Sequence, residues 1–270
     1  MKQKRCAYCN ELNKITKEHV VSKSVIKKLK INQSPGYEHS QGKYTTNNST
    51  IKDVCEECNN GPLSELDDYF ISFIKSNLPL DTSIKSNSII ELEFDFDKLS
   101  RWLLKTLYNS ERKNGYEEIE KQLLYYKNYI LGKEICTRPL RVFLEVLYDI
   151  PSNEIQKFDA NVVFLKHFVK LGNIAFSDQG KIDFIKQFTI GNFMFHIFID
   201  ADEAKNNRLV ESLLDFYNKQ GITIYDLNST TQFLVSNRSI VDILAVTYQG
   251  NKTFVDYEKE IKHLTNQRSQ

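Results

Sequence analysis

Four cysteines stand in two pairs, Cys6-Ala7-Tyr8-Cys9 and Cys55-Glu56-Glu57-Cys58, and between the pairs Glu18 precedes His19. These are residue types that hold metals and move protons. A CxxC turn brings two thiolates onto one ion, and two such turns complete the tetrahedron that zinc prefers, with each sulfur about 2.3 Å from the metal. The spacing therefore predicts one structural zinc on Cys6, Cys9, Cys55 and Cys58. A site closed by four thiolates folds the segment around it and leaves no open position for chemistry. The competing use of a CxxC is thiol–disulfide exchange, which calls for one pair at a helix start in a thioredoxin-like βαβ pattern and does not account for two pairs. Cys136 stands alone and reads as a small buried hydrophobe with no role.

Any chemistry must then come from the residues the zinc pins together. Of the five histidines, His196 lies in the apolar run Phe193-Met194-Phe195-His196-Ile197-Phe198 and reads as a core or edge histidine, and His167 reads the same way. His263 sits in a Lys/Glu-rich terminal helix and His39 in a polar loop, both solvated positions. His19 differs because an acidic neighbour precedes it and both lie between the knuckles. A histidine near neutral pKa suits general base work, and a carboxylate beside it suits a hard cation.

The elements that must aim this pair are short. Residues 10–21 read as a turn and an extended piece, and residues 22–29 as a helix with Ser22 or Ser24 as its cap. Residues 31–50, rich in Asn, Ser, Thr, Gly and Gln, read as a loop. Pro62 suits a first helical position, and Leu63, Leu66, Phe70, Phe73, Ile74 and Leu78 give an amphipathic helix over 63–78. A linker over 79–87 divides the chain into a head, 1–79, and a body, 80–270. In the body the patterns predict a strand over 88–96, and helices over 98–112 (with Asp97 as a cap) and 116–131. They predict strands over 141–148, 162–169 and 173–176. A hairpin follows over 183–200, turning at Gly191-Asn192, with a helix over 202–220. Strands at 222–225, 232–235 and 240–246 and a helix over 255–264 close the chain. The fold class is α+β.

Composition bounds the rest. The chain has 270 residues, 41% of them hydrophobic and 12% aromatic, which is a folded composition with ample core. The net charge is +1, but it is unevenly spread. Residues 1–60 carry eleven lysines and arginines against six acidic residues, while the remainder is mildly acidic. A basic head fits a polyanionic partner, with Lys14, Lys17, Lys23, Lys27 and Lys28 as candidate nucleic-acid contacts. No apolar stretch follows the basic first residues, and none reaches membrane-spanning length, so a cytoplasmic protein with no membrane partner is expected. Reduced thiols in that compartment favour metal over disulfide.

The order C-x-x-C, acidic-His-aliphatic, C-x-x-C-N, carried by Cys6, Cys9, Glu18, His19, Val20, Cys55, Cys58 and Asn59, resembles the zinc-containing branch of the HNH endonucleases. The run Cys58-Asn59-Asn60-Gly61-Pro62-Leu63-Ser64-Glu65 is similar to the C-N-N-G endings of bacterial members. The resemblance covers about the first 75 residues. It implies a ββα-metal module, with His19 as general base and a catalytic Mg or Mn ion held by Glu18 and Asn59. It further implies DNA as substrate and a setting in phage defence (antiviral defence) or mobile elements. Three departures stand out. Glu18 occupies a position where Asp is frequent. The middle Asn, which in the family braces the loop carrying the histidine, is replaced by Thr50, with Asn47 or Asn48 as possible substitutes. Asn59 and Asn60 are adjacent, and either could face the metal. The body, which shows no phosphate loop or second metal constellation, is expected to recognise DNA, to form a homo-oligomer or to meet an activating partner. The alternative reading is a zinc-stapled interaction module without turnover.

Overall fold

A computed structural model of the chain describes residues 4–29, 36–38, 43–45, 49–78, 83–114, 117–149, 169–178, 181–239 and 242–243. The chain is mixed α+β, as its periodicities predict. Near the N-terminus β1 (Lys4–Arg5) and β2 (Leu12–Asn13) flank the first CxxC as an antiparallel pair. Next come β3 (Ile15–His19) and the short helix α1 (Lys23–Lys28), which Ser22 caps by accepting from the Ser24 amide. Inside the expected loop, β4 (Gly36–Glu38) and β5 (Lys43–Thr45) pair as a small hairpin, with Tyr37 opposite Tyr44. Two three-residue strands in a polar stretch are too short to leave a periodic signal.

β6 (Thr50–Cys55) returns antiparallel to β3. The pairing steps from Thr16↔Val54 to Glu18↔Ile51, so β6 carries one extra residue, a β-bulge. The bulge lets Ile51 and Val54, three residues apart, both face the core. α2 (Glu56–Asn60) follows at once, then α3 (Pro62–Asn77). Gly61 joins them where the backbone passes so close to α2 that a Cβ would lie 2.7 Å from the Glu57 carbonyl oxygen.

The body begins with β7 (Ile89–Glu91) and the long helix α4 (Phe96–Asn114). The expected strand over 88–96 shrinks to β7 because Asp95, not Asp97, caps α4: its carboxylate accepts from the Lys98 amide. The expected helix over 116–131 breaks into α5 (Glu117–Leu124) and α6 (Lys127–Ile130). Tyr126 at the break turns inward, its hydroxyl donating to the Pro139 carbonyl at 2.7 Å. The remaining elements are β8 (Arg141–Val146), β9 (Val169–Asp178), β10 (Lys181–Ile190), β11 (Phe193–Phe198), α7 (Glu203–Asn218), β12 (Tyr225–Asp226) and β13 (Gln232–Leu234). The hairpin β10–β11 turns at Gly191, whose φ of 50° needs a residue without a Cβ. The terminal helix, most of the strands expected over 162–169 and 240–246, His39, His167 and His263 lie outside the described residues.

An antiparallel sheet in the order β12-β8-β11-β10-β9 forms the centre. One face carries Phe188, Phe193 and Phe195 against α3 and α4, where Phe70 stacks on Trp102 with ring centroids 3.4 Å apart. The other face carries Phe143, Ile185 and Phe198 under Leu209, Leu213 and Tyr217 of α7. Covered on both sides, β11 is buried at every position, which explains its unbroken apolar run. His196 on this strand is fully buried, as its neighbours suggest. The apolar core facing α3 and α4 continues without a break through Val54, Val25 and Tyr8 to the cysteines. Head and body residues therefore share one interior. Among the described residues no helix is long and apolar enough to cross a membrane.

Candidate functional site

The first knuckle is the turn between β1 and β2. Asn10 closes it in the left-handed region, at φ 64°, with its amide donating to the Cys6 carbonyl at 2.9 Å. The second knuckle is the corner from β6 into α2, where Cys55 serves as the helix N-cap and its Sγ accepts from the Cys58 amide. The corner brings all four Sγ atoms within 4.8 Å of one another, with Cys9 and Cys55 at 3.7 Å. Sulfurs about 2.3 Å from a tetrahedral zinc sit about 3.8 Å apart, whereas a disulfide needs about 2.05 Å. All four are free thiols. Burial pushes the Cys55 thiol up to about 11 and that of Cys58 higher still. Four thiolates in such a space need a cation, and the Cys55 amide also donates to Cys6 Sγ. Geometry and donor chemistry fit a metal ion such as zinc.

Glu18 and His19 end β3, three residues before Ser22, the cap of α1. Glu18 is only 6% exposed. Its Oε1 pairs with Lys105 Nζ of α4 at 3.1 Å and lies 3.4 Å from the Asn109 amide of the same helix. Lys105 is as deeply buried and also donates to both oxygens of Asp67 at 2.8 Å and to the Leu63 carbonyl at 3.2 Å. Trp102 Nε1 completes the surroundings of Asp67 at 2.9 Å. Burial raises the Glu18 pKa above its ordinary value, with Lys105 pulling against it and Asp67 reinforcing it. His19 is half-buried and its Nδ1 is buried. Its carbonyl accepts from Asn109 Nδ2 at 3.2 Å. Thr50, at the position of the expected middle Asn, pairs directly across from His19 in β6, and Asn47 and Asn48 lie outside the described residues.

Asn59 lies on α2 one residue past Cys58. Its Nδ2 donates to Thr16 Oγ1 at 3.0 Å and to the Lys17 carbonyl at 3.3 Å, both on β3 just before Glu18. Asn60 is exposed. Of the two candidates for a ligand, Asn59 is thus the one turned toward the Glu18–His19 strand. Lys17, Lys23 and Lys27 are exposed, while Lys14 and Lys28 are taken up by exposed ion pairs with Glu56 and Asp68.

The sequence reading missed Lys105, Asp67 and Asn109. Leu99, Trp102, Leu103, Leu104, Leu107 and Tyr108 leave one side of α4 to Arg101, Lys105, Asn109 and Arg112, a grouping that reads in sequence as a solvated face; Glu18 of β3 and Asp67 of α3 meet that side in the fold. Residues that far from the knuckles give no sequence clue to which partner they meet.

No family model matches the sequence, and no curated protein or solved structure matches it.

Proposed function

We propose that the chain is a metal-dependent endonuclease of the HNH type that hydrolyses phosphodiester bonds in DNA. One observation carries the reading. The Asn59 amide nitrogen is tied to Thr16 and Lys17, which draws this residue to the strand end bearing Glu18 and His19 and leaves its carbonyl oxygen available to a cation. A hard divalent ion takes oxygen donors of this kind, a carboxylate and an amide carbonyl. Glu18 and Asn59 would hold it, and when bound it supplies positive charge for a phosphate oxygen. His19 is the general base. Because its Nδ1 is buried, Nε2 is assigned the proton taken from the attacking water. The cysteine cluster holds the two ends of the module and takes no part in the chemistry. The exposed Lys17, Lys23 and Lys27 neutralise neighbouring phosphates. A place in phage defence belongs to the same proposal and rests on the resemblance alone.

Glu18 favours a second reading. Buried and paired with Lys105, it serves equally as a strut, and the head is then a zinc-stapled module that binds nucleic acid without cutting it. One experiment separates the two. Purified protein is incubated with supercoiled plasmid and Mg²⁺ or Mn²⁺, beside the His19→Ala variant. Nicking or cutting that disappears in His19→Ala supports the nuclease. Plasmid binding without cleavage under either metal, or cleavage that His19→Ala leaves unchanged, refutes it.

A further inference from the structure

α4 belongs to the body, yet two of its side chains, one turn apart, grip the two residues of the Glu18–His19 pair. Lys105 takes the Glu18 carboxylate and Asn109 takes the His19 carbonyl. Positions four apart share one helix face, so a single approach of α4 supplies both. Asn109 is fully buried and its amide is saturated. Nδ2 donates to His19 O at 3.2 Å and faces Glu18 Oε1 at 3.4 Å, while Oδ1 accepts from Tyr8 OH at 2.8 Å and from the Arg112 guanidinium at 2.9 Å. The orientation of the amide is forced. Arginine can only donate, so Oδ1 must face Arg112, and a carbonyl can only accept, so Nδ2 must face His19. Arg112 is itself fixed by Asp53 of β6 at 2.9 Å and lies over the Tyr108 ring. Tyr8 sits inside the first CxxC. One amide thus joins the zinc knuckle, the strand end carrying the histidine and the body.

We infer that Asn109 is a positioning residue for His19 and that the catalytic site is completed by the body helix α4. This rests on the nuclease reading above. The physical content is that His19 is the last residue of its strand, opposite Thr50, whose side chain offers no amide to hold the His19 carbonyl. Asn109 supplies that hold from 90 residues away in sequence. A nucleophile-activating base must sit within hydrogen-bond reach of its water, and a displacement of about 1 Å can cost on the order of 100-fold in rate.

The test compares Asn109→Ala and Asn109→Asp with Leu103→Ala in the full-length, zinc-loaded protein. Asn109→Asp keeps the acceptor for Tyr8 and Arg112 but loses the donor that His19 and Glu18 share and sets a second carboxylate beside Glu18, so it is read together with Asn109→Ala, which adds no charge. Leu103 is a buried apolar residue on the same helix, so Leu103→Ala reports the effect of lost packing alone. Each variant is assayed for kcat, KM, zinc content and Tm, with cleavage measured at a temperature where all are folded. Both Asn109 variants are expected to lower kcat by about 10- to 100-fold with KM and zinc content unchanged. Leu103→Ala is expected to lower Tm and keep kcat. Should parent and His19→Ala differ as the nuclease reading requires while both Asn109 variants cut at the parental rate, this inference alone falls. It also falls when kcat follows Tm along one line through all three variants, since Asn109 is then only part of the packing. A parent that cuts nothing overturns this inference and the nuclease reading together.

Discussion

Replacing Lys105 by methionine tests how the head is fastened to the body. The charged end is removed and an unbranched side chain one atom shorter remains. Lys105 Nζ is the cation shared by Glu18 at 3.1 Å and Asp67 at 2.8 Å, and all three side chains are less than a tenth exposed. After the change two buried carboxylates face each other without it. Trp102 Nε1 still serves Asp67, and Asn109 Nδ2 remains 3.4 Å from Glu18 Oε1. Breaking a buried pair by removing one partner costs about 3–5 kcal/mol, because the charge left behind is uncompensated. For a chain of this size each kcal/mol shifts Tm by roughly 2–4 °C, so a fall of roughly 6–20 °C is expected in thermal unfolding at neutral pH. The loss has a sign in pH. Burial already holds the Glu18 pKa above its ordinary value in the parent, with Lys105 opposing that rise. A carboxyl raised on folding binds its proton more tightly in the folded state, so its stabilising part is present below the unfolded pKa and lost as pH rises through the folded one. Without Lys105 the rise is larger, and Lys105→Met should regain stability as pH falls from 8 toward 5, relative to the parent. Adding Glu18→Gln to Lys105→Met should recover part of the loss at neutral pH. A cost below about 1 kcal/mol, or a cost that stays flat between pH 5 and 8, would refute the picture of a closed ionic joint.

Three further outcomes are expected. Cys55→Ser should reduce bound zinc below one per chain by metal analysis and, because the cysteines share an interior with α3 and α4, lower Tm for the whole chain in a single transition; one zinc retained would place the site elsewhere. Asn59→Ala should abolish metal-dependent plasmid cleavage while Asn60→Ala stays within about twofold of the parent, and equal effects would overturn the choice of Asn59. Burial, with a smaller push from Arg238, holds the His196 pKa down at about 3, so the folded state keeps it neutral while the unfolded chain takes a proton near its ordinary value of about 6.5. Stability from this residue is therefore complete above that value and lost as pH falls toward 3, by about 2 kcal/mol at pH 5; urea unfolding of His196→Leu should lack that slope.

Much of the fold was legible from local rules. The strands β10 and β11, their turn at Gly191, α3 behind Pro62 and α7 behind Asp202 all follow from alternation, helical spacing and caps. The errors fall where a tertiary contact overrides the local pattern. Tyr126 continues a helical periodicity on paper, but its hydroxyl reaches the Pro139 and Ile199 carbonyls in the interior, and the helix breaks there. Residues 92–95 alternate like a strand, but Tyr69 of α3 exchanges hydrogen bonds with both backbone groups of Asp95 and turns the chain into α4. Neither partner is recoverable from a window of neighbouring residues.

The cysteine cluster was legible for a different reason. Its four ligands announce themselves by residue type and by spacing within each pair, and only the meeting of the pairs required the fold. Glu18 was legible as a residue and not as an environment. In sequence it is a carboxylate beside a histidine in a basic stretch, which suggests an open, hydrated group. In the fold its exposure is set by α4, whose Lys105 and Asn109 lie some 90 residues away and whose polar positions are scattered among leucines and aromatics. Buried charges survive only with partners, so the burial of Lys105 required carboxylates from elsewhere in the chain. Asp67 of α3 and Glu18 of β3 are those carboxylates. The same requirement ties residues of the head to α4 of the body at this joint. An ionic joint with no exposed member cannot be opened to water at one side without stranding a charge at the other, so whatever the head does, it does while held by α4.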